Sequence, residues 1–143
     1  MTVTLKELQT DFTNLTSEFN EYKERLTAAI EFEDFEMLSS YDLAKVKELS
    51  YMKSAAYWKI QVAKIQDELE SLEAAKPTDF KDEYYCKLCV KKFRAYDEQK
   101  KAECKAKGDE YSYLKHHKPV IDSRIRHWIT AIHNRQQFGG LKV

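Results

Sequence analysis

The sequence predicts an all-α fold, an elongated antiparallel helical bundle with coiled-coil character and about four helices. Three observations predict it. Glycine and proline, the strongest breakers of regular structure, are confined to Gly108, Gly139, Gly140, Pro77 and Pro119 among 143 residues. The remaining chain is rich in Leu, Ala, Glu, Lys and Gln, which favour helix. Apolar residues recur at steps of three and four over long stretches, the period of a helix face. A chain of this length suits one domain with a modest core. Within residues 1–143 it reads as an acidic helical hairpin, 1–76, followed by a basic helical half, 77–143.

Leu5, Leu8, Phe12, Leu15, Phe19, Tyr22, Leu26 and Ala29 write the first helix, as an a/d seam of the kind coiled coils use. Thr4 and Glu7 fit a capping box at its start. Such a seam needs a partner helix. Residues 31–38, EFEDFEML, are acidic and irregular and read as a connection. Ser39 with Asp42 signals the second start near Tyr41, and Pro77 stops that helix near Lys76.

The second helix carries two apolar stripes. One runs through Tyr51, Ala55, Trp58, Val62, Ile65, Leu69 and Leu72; the other through Val46, Leu49, Met52, Ala56, Ile60 and Ala63. Two stripes imply cover on two sides, which makes this helix the central one. A third helix is expected from Thr78 or Asp79 to a cap at Gly108. A last helix is expected with Pro119 in its first turn and Gly139-Gly140 at its end. Its apolar face is Ile121, Ile125, Trp128, Ile129 and Ile132.

The stretch YYCKLCVKKF, 84–93, raises the question of a metal. It resembles the opening of a Cys2His2 zinc finger, which would make Cys86, Cys89, Cys104 and His116 or His117 a ligand set. Past Phe93 the resemblance fails, because the positions of the finger's Leu and His hold other residues. No Gly or Pro shapes a turn between the cysteines, and the apolar residues around them keep helical spacing. Cysteines at i and i+3 then share one helix surface and act as small buried hydrophobes. No metal and no cofactor is therefore expected. Three cysteines also argue against a disulfide framework.

Zero net charge conceals a division. Residues 1–80 carry 9 Lys+Arg against 16 Asp+Glu, a net of −7; residues 81–143 carry 15 against 8, a net of +7. Such asymmetry suits a nucleic-acid surface, or one half docking on the other. The candidate nucleic-acid-binding residues are Lys87, Lys91, Lys92, Arg94, Lys100, Lys101, Lys115, Lys118, Arg124 and Arg126. Tyrosines are interleaved among them, as in single-strand binders that pair cations for phosphates with aromatic faces for bases. The plainer reading is tyrosines in the bundle and lysines in solvent.

Enzyme chemistry is not expected. The chain has no phosphate-cradling glycine loop, no His-Glu-x-x-His and no Ser/His/Asp arrangement. His116 and His117 are adjacent, so on a helix they point about 100° apart. Nor does any apolar run approach the roughly 18–20 residues that span a bilayer, and no charged-then-apolar leader opens the chain. A cytoplasmic location is the expectation, with no membrane and no small-molecule substrate.

A helix with Tyr84-Tyr85 at its end, and a final helix carrying Arg135 and Phe138, resemble the small helical recombination mediators of the phage T4 type. Residues 54–85 and 129–138 would correspond. The resemblance implies an oligomeric protein acting on single-stranded DNA. The long N-terminal seam and the spacing of Arg135 and Phe138 depart from that pattern. Taken together, the residues suggest a non-enzymatic helical binding or adaptor protein that oligomerises through coiled-coil surfaces and contacts another macromolecule. A nucleic-acid-binding accessory factor and a viral inhibitor of a host protein are the alternatives.

Overall fold

In the computed structural model, residues 4–31, 40–75 and 82–138 are described. Helix α1, Leu5–Glu31, opens where the Thr4 hydroxyl accepts the Glu7 N–H at 3.2 Å, one half of the expected capping box. Thr10, Thr13, Thr16 and Thr27 bond back to carbonyls four residues earlier, which satisfies their hydroxyls within the helix. The seam closes on α2, Ser40–Ala75. The Phe12 and Tyr57 rings lie 6.3 Å apart, and the Lys53 ammonium sits 5.3 Å from the Phe19 ring centre. Leu8 and Ala29 are buried, while Phe12, Leu15, Phe19, Tyr22 and Leu26 are half-buried. The seam's partner helix is therefore found within the same chain.

Helix α2, about 54 Å long at 1.5 Å per residue, is central, as its two stripes imply. It packs on α1 along one side and on α3, Glu83–Ala106, along another. Ile65 and Leu69 of the first stripe form a core with Tyr85, Leu88 and Cys89 of α3, flanked by Leu72 and Trp128. Tyrosines tie α3 to α2. The Tyr84 hydroxyl donates to Glu68, and the Tyr85 hydroxyl donates to Glu73 at 2.5 Å. Burial first, and then that hydrogen bond, push the Tyr85 phenol above its ordinary range.

Helix α3 starts at Asp82, whose carboxylate accepts the Tyr85 N–H at 2.8 Å. The first helical residue is thus Glu83. The expected opening at Thr78 or Asp79 lies outside the described residues. So do the connection over 32–38, the Ser39 start signal, the Pro77 stop and the Gly139-Gly140 end. The far end of α3 agrees with expectation. Gly108 has φ +70°, its N–H bonds the Lys105 carbonyl, and the Asp109 N–H bonds the Cys104 carbonyl at 2.8 Å. That pair of bonds is a Schellman cap, which needs the left-handed residue glycine supplies.

The last helix carries Pro119 in its first turn, as expected, but helical structure already precedes it, opening at Asp109, which accepts the Ser112 N–H at 3.0 Å. A short turn α4, Glu110–Ser112, passes into a π-helical segment, Tyr113–His117, and then into α5, Lys118–Phe138. The physical reason is the proline itself. Pro119 has no N–H for an ordinary helix bond, and its ring crowds the carbonyl of residue 115. Widening the preceding turn, with the Lys118 N–H bonded to the Tyr113 carbonyl, lets the helix continue through it. The widened turn also buries Tyr113, whose hydroxyl donates to Asp97 of α3 at 2.5 Å.

Neighbouring helices are antiparallel throughout. Phe12 meets Tyr57 while Phe19 meets Lys53; Tyr85 meets Glu73 while Lys105 meets Tyr51. Gln136 meets Glu83 while Tyr113 meets Asp97. The result is an all-α antiparallel bundle, and no described helix is long and apolar enough to cross a membrane.

Candidate macromolecule-binding cleft

Ten basic residues were candidates from sequence, and the bundle sorts them. Lys87, Lys91 and Arg94 stand at i, i+4 and i+7 on one face of α3 and line a cleft of about 750 Å³ between α2, α3 and α5. Lys87 pairs with Glu83 at 3.1 Å. Lys91 and Arg94 are exposed and form no ion pair among the described residues.

The other seven candidates lie elsewhere. Lys92 sits 5.4 Å from the Phe93 ring centre, and Lys115 lies 5.4 Å from that of Tyr111. Lys100 holds Glu103 at 3.1 Å and lies 5.3 Å from the Tyr96 ring centre. Lys101 is shared between Glu98 at 3.8 Å and the Tyr113 ring. Lys118 pairs with Asp122 at 3.1 Å. Arg124 and Arg126 are exposed on α5, where Arg126 lines a separate shallow groove with His127 and Arg135.

The cleft has an apolar and aromatic lining that the list of cations did not include. Tyr57, Trp58 and Gln61 of α2 form one side, and Ile129 and Ile132 of α5 the other, with Ile65 and Val90 beneath. Tyr57 is 44% exposed and meets Trp58 edge-on at 5.1 Å, with the Phe12 ring 6.3 Å away. A signal for it existed in the sequence, because Tyr57 falls on neither apolar stripe of α2. A large aromatic in that position has no core to enter.

Local electrostatics keep the cations available. The ion pairs among the described residues join positions three or four apart on a single helix, so the two oppositely charged halves do not neutralise each other by such pairs across their interface. Hydrogen bonds from Gln136 and Lys87 hold the Glu83 carboxyl below its ordinary range. Asp97 and Glu98 also line the cleft, but Asp97 accepts the Tyr113 hydroxyl and Glu98 holds Lys101.

The alternative zinc ligands are not brought together. Cys86 and Cys89 are buried near the start of α3 and Cys104 is buried near its end. The 15 residues from Cys89 to Cys104 set those thiols about 22 Å apart along one helix axis, far beyond a shared ion. His116 is exposed in the π-helical segment. Among the described residues no group of three His, Cys, Asp or Glu side chains is placed to hold a metal. Burial raises the Cys104 thiol above its ordinary pKa, which favours the uncharged, unreactive form.

Comparison with known proteins finds no match to a family model, to a curated protein or to a solved structure.

Proposed function

We propose that this chain is a non-enzymatic helical binding protein that holds another macromolecule in the cleft between α2, α3 and α5. One observation carries the reading: Lys91 and Arg94, without ion pairs, stand over an apolar floor beside the exposed Tyr57 ring. Coiled-coil assembly is no longer required by α1, since α2 lies against its seam, and sedimentation analysis decides the oligomeric state.

A second, narrower reading is that the macromolecule is a single-stranded nucleic acid. Tyr57 favours it, because cations along a groove hold phosphates while an exposed aromatic face stacks a base. The test is fluorescence anisotropy with labelled single-stranded DNA, single-stranded RNA and duplex probes at low salt. Binding should weaken steeply with added salt. Lys91→Glu with Arg94→Glu should abolish it, and Tyr57→Ala should weaken it about tenfold, the low end of what one stacked base contributes. Lys92→Glu, outside the cleft, should change it little. No binding to any probe at low salt would remove the nucleic-acid reading, and wild-type affinity in the Lys91/Arg94 variant would move the site out of this cleft.

A further inference from the structure

A second recess lies around the bundle from the first. Helices α1 and α3 both run antiparallel to α2, so they are parallel to one another, and among the described residues no Cα of one comes within 8 Å of a Cα of the other. Between them is a slot of about 740 Å³. Its floor is the row Glu48, Met52, Ala55, Ala56 and Lys59 of α2, which at 1.5 Å per residue extends about 16 Å. That is the length of three helical turns. Two parallel helices over a third leave the place a fourth helix takes in a four-helix bundle. Ala55, Ala56 and Ala106 line the slot and would let a guest backbone approach closely, while Met52 is unbranched and adapts to the side chains it meets.

The slot's α1 wall is acidic. Asp11 and Glu18 are exposed, make no ion pair among the described residues and stand seven residues apart, on one face of α1. Glu48 adds a third carboxylate, held loosely by Lys45 at 3.7 Å. Opposite, on α3, Glu103 is occupied by Gln99 and Lys100, and Lys107 also lines that wall, with Lys59 on the floor near Glu103. The slot's exposed carboxylates without an ion pair among the described residues are those of α1. We propose that the slot between α1 and α3 docks a basic amphipathic helix of a partner protein, with apolar residues on the α2 floor and Lys or Arg seven residues apart facing Asp11 and Glu18.

Charge argues against a second copy as the occupant. Asp11, Glu18, Glu48 and Glu103 line the slot against Lys59 and Lys107, so its lining is net acidic and pairing slot on slot would set like net charge against like. The chain's own basic amphipathic helix, α5, already turns Ile121 and Trp128 toward α3. Helix-in-groove binding of a foreign segment satisfies both the floor and the wall.

The test uses the full chain and two designed helical peptides that share a Leu/Ala stripe. One carries Lys at seven-residue spacing and the other Glu in the same places. Titration calorimetry should find the Lys peptide binding and the Glu peptide not. Asp11→Lys with Glu18→Lys, both at exposed positions and checked for retained helicity, should weaken the Lys peptide by roughly tenfold or more and admit the Glu peptide. Ala56→Phe, which fills the floor, should weaken the Lys peptide without admitting the other. Equal binding of the two peptides, or no binding of either, would overturn the proposal. So would a wild-type dimer in sedimentation that the Asp11/Glu18 variant dissociates, since a second copy would then fill the slot. The nucleic-acid test addresses the other recess and can fail or succeed independently.

Discussion

Trp128 is the side chain through which α5 reaches the core of α2 and α3, and its removal has a calculable effect. The indole is partly buried beside Ile65, Leu69, Leu88 and Cys89, and it meets the Tyr85 ring at 6.0 Å with the planes at 62°. Truncating a fully buried Trp to Ala costs about 3–5 kcal/mol. Because Trp128 retains some exposure, Trp128→Ala should cost about 2–3 kcal/mol, the lower part of that range. For a chain between the small and large domain classes this lowers Tm by roughly 10 °C. Circular dichroism melts measure the loss, and a double-mutant cycle with Tyr85→Leu isolates the ring pair. Its coupling should be about 0.5–1.5 kcal/mol. Val120→Ala, at an exposed position on the same helix, should be close to neutral. A Trp128→Ala loss below about 0.5 kcal/mol would place it among ordinary surface changes and refute the docking of α5 through this residue.

Three further outcomes are expected. Cys86→Ser with Cys89→Ser puts two hydroxyls into positions that are 0% and 5% exposed, and should cost about 1–2 kcal/mol in denaturant titration; a chelator should leave the wild-type melt unchanged, whereas loss of the fold on chelation would establish a structural metal. Gly108→Ala meets open space, so its cost is the left-handed backbone alone, about 1 kcal/mol by thermal melt, and a neutral result would mean the α3–α4 turn is not held by its Schellman cap. Tyr85 and Tyr113 have phenols raised above the unfolded value near 10, chiefly by burial, so their stabilisation is complete below about pH 10 and is lost as pH rises further toward their folded values. In phenolate absorbance Tyr85 and Tyr113 should remain un-ionised in the native protein and ionise only with alkaline unfolding; their ionisation near pH 10 in the folded protein would contradict the Glu73 and Asp97 hydrogen bonds.

The helices themselves were legible in the sequence because helix formation is governed by spacing and by breakers, and both are local. The seam from Leu5 to Ala29, the two stripes of α2 and the Gly108 cap each follow from residues a few positions apart. Even the centrality of α2 could be read, since two stripes on one helix demand two neighbours. The helical placement of Cys86 and Cys89 followed from the same spacing. Long-range packing decided the rest. Periodicity does not say how far each helix is rotated and slid against the next, and that rotation brought Lys87, Lys91 and Arg94 beside Tyr57 while turning Lys100 and Lys101 to other partners. Pro119 does stand in the first turn of α5, but the helical turns ahead of it answer to a tertiary signal. A widened turn that seats Tyr113 against Asp97 buries an aromatic and satisfies its hydroxyl, and that gain comes from a residue 16 positions away, beyond the reach of any local pattern.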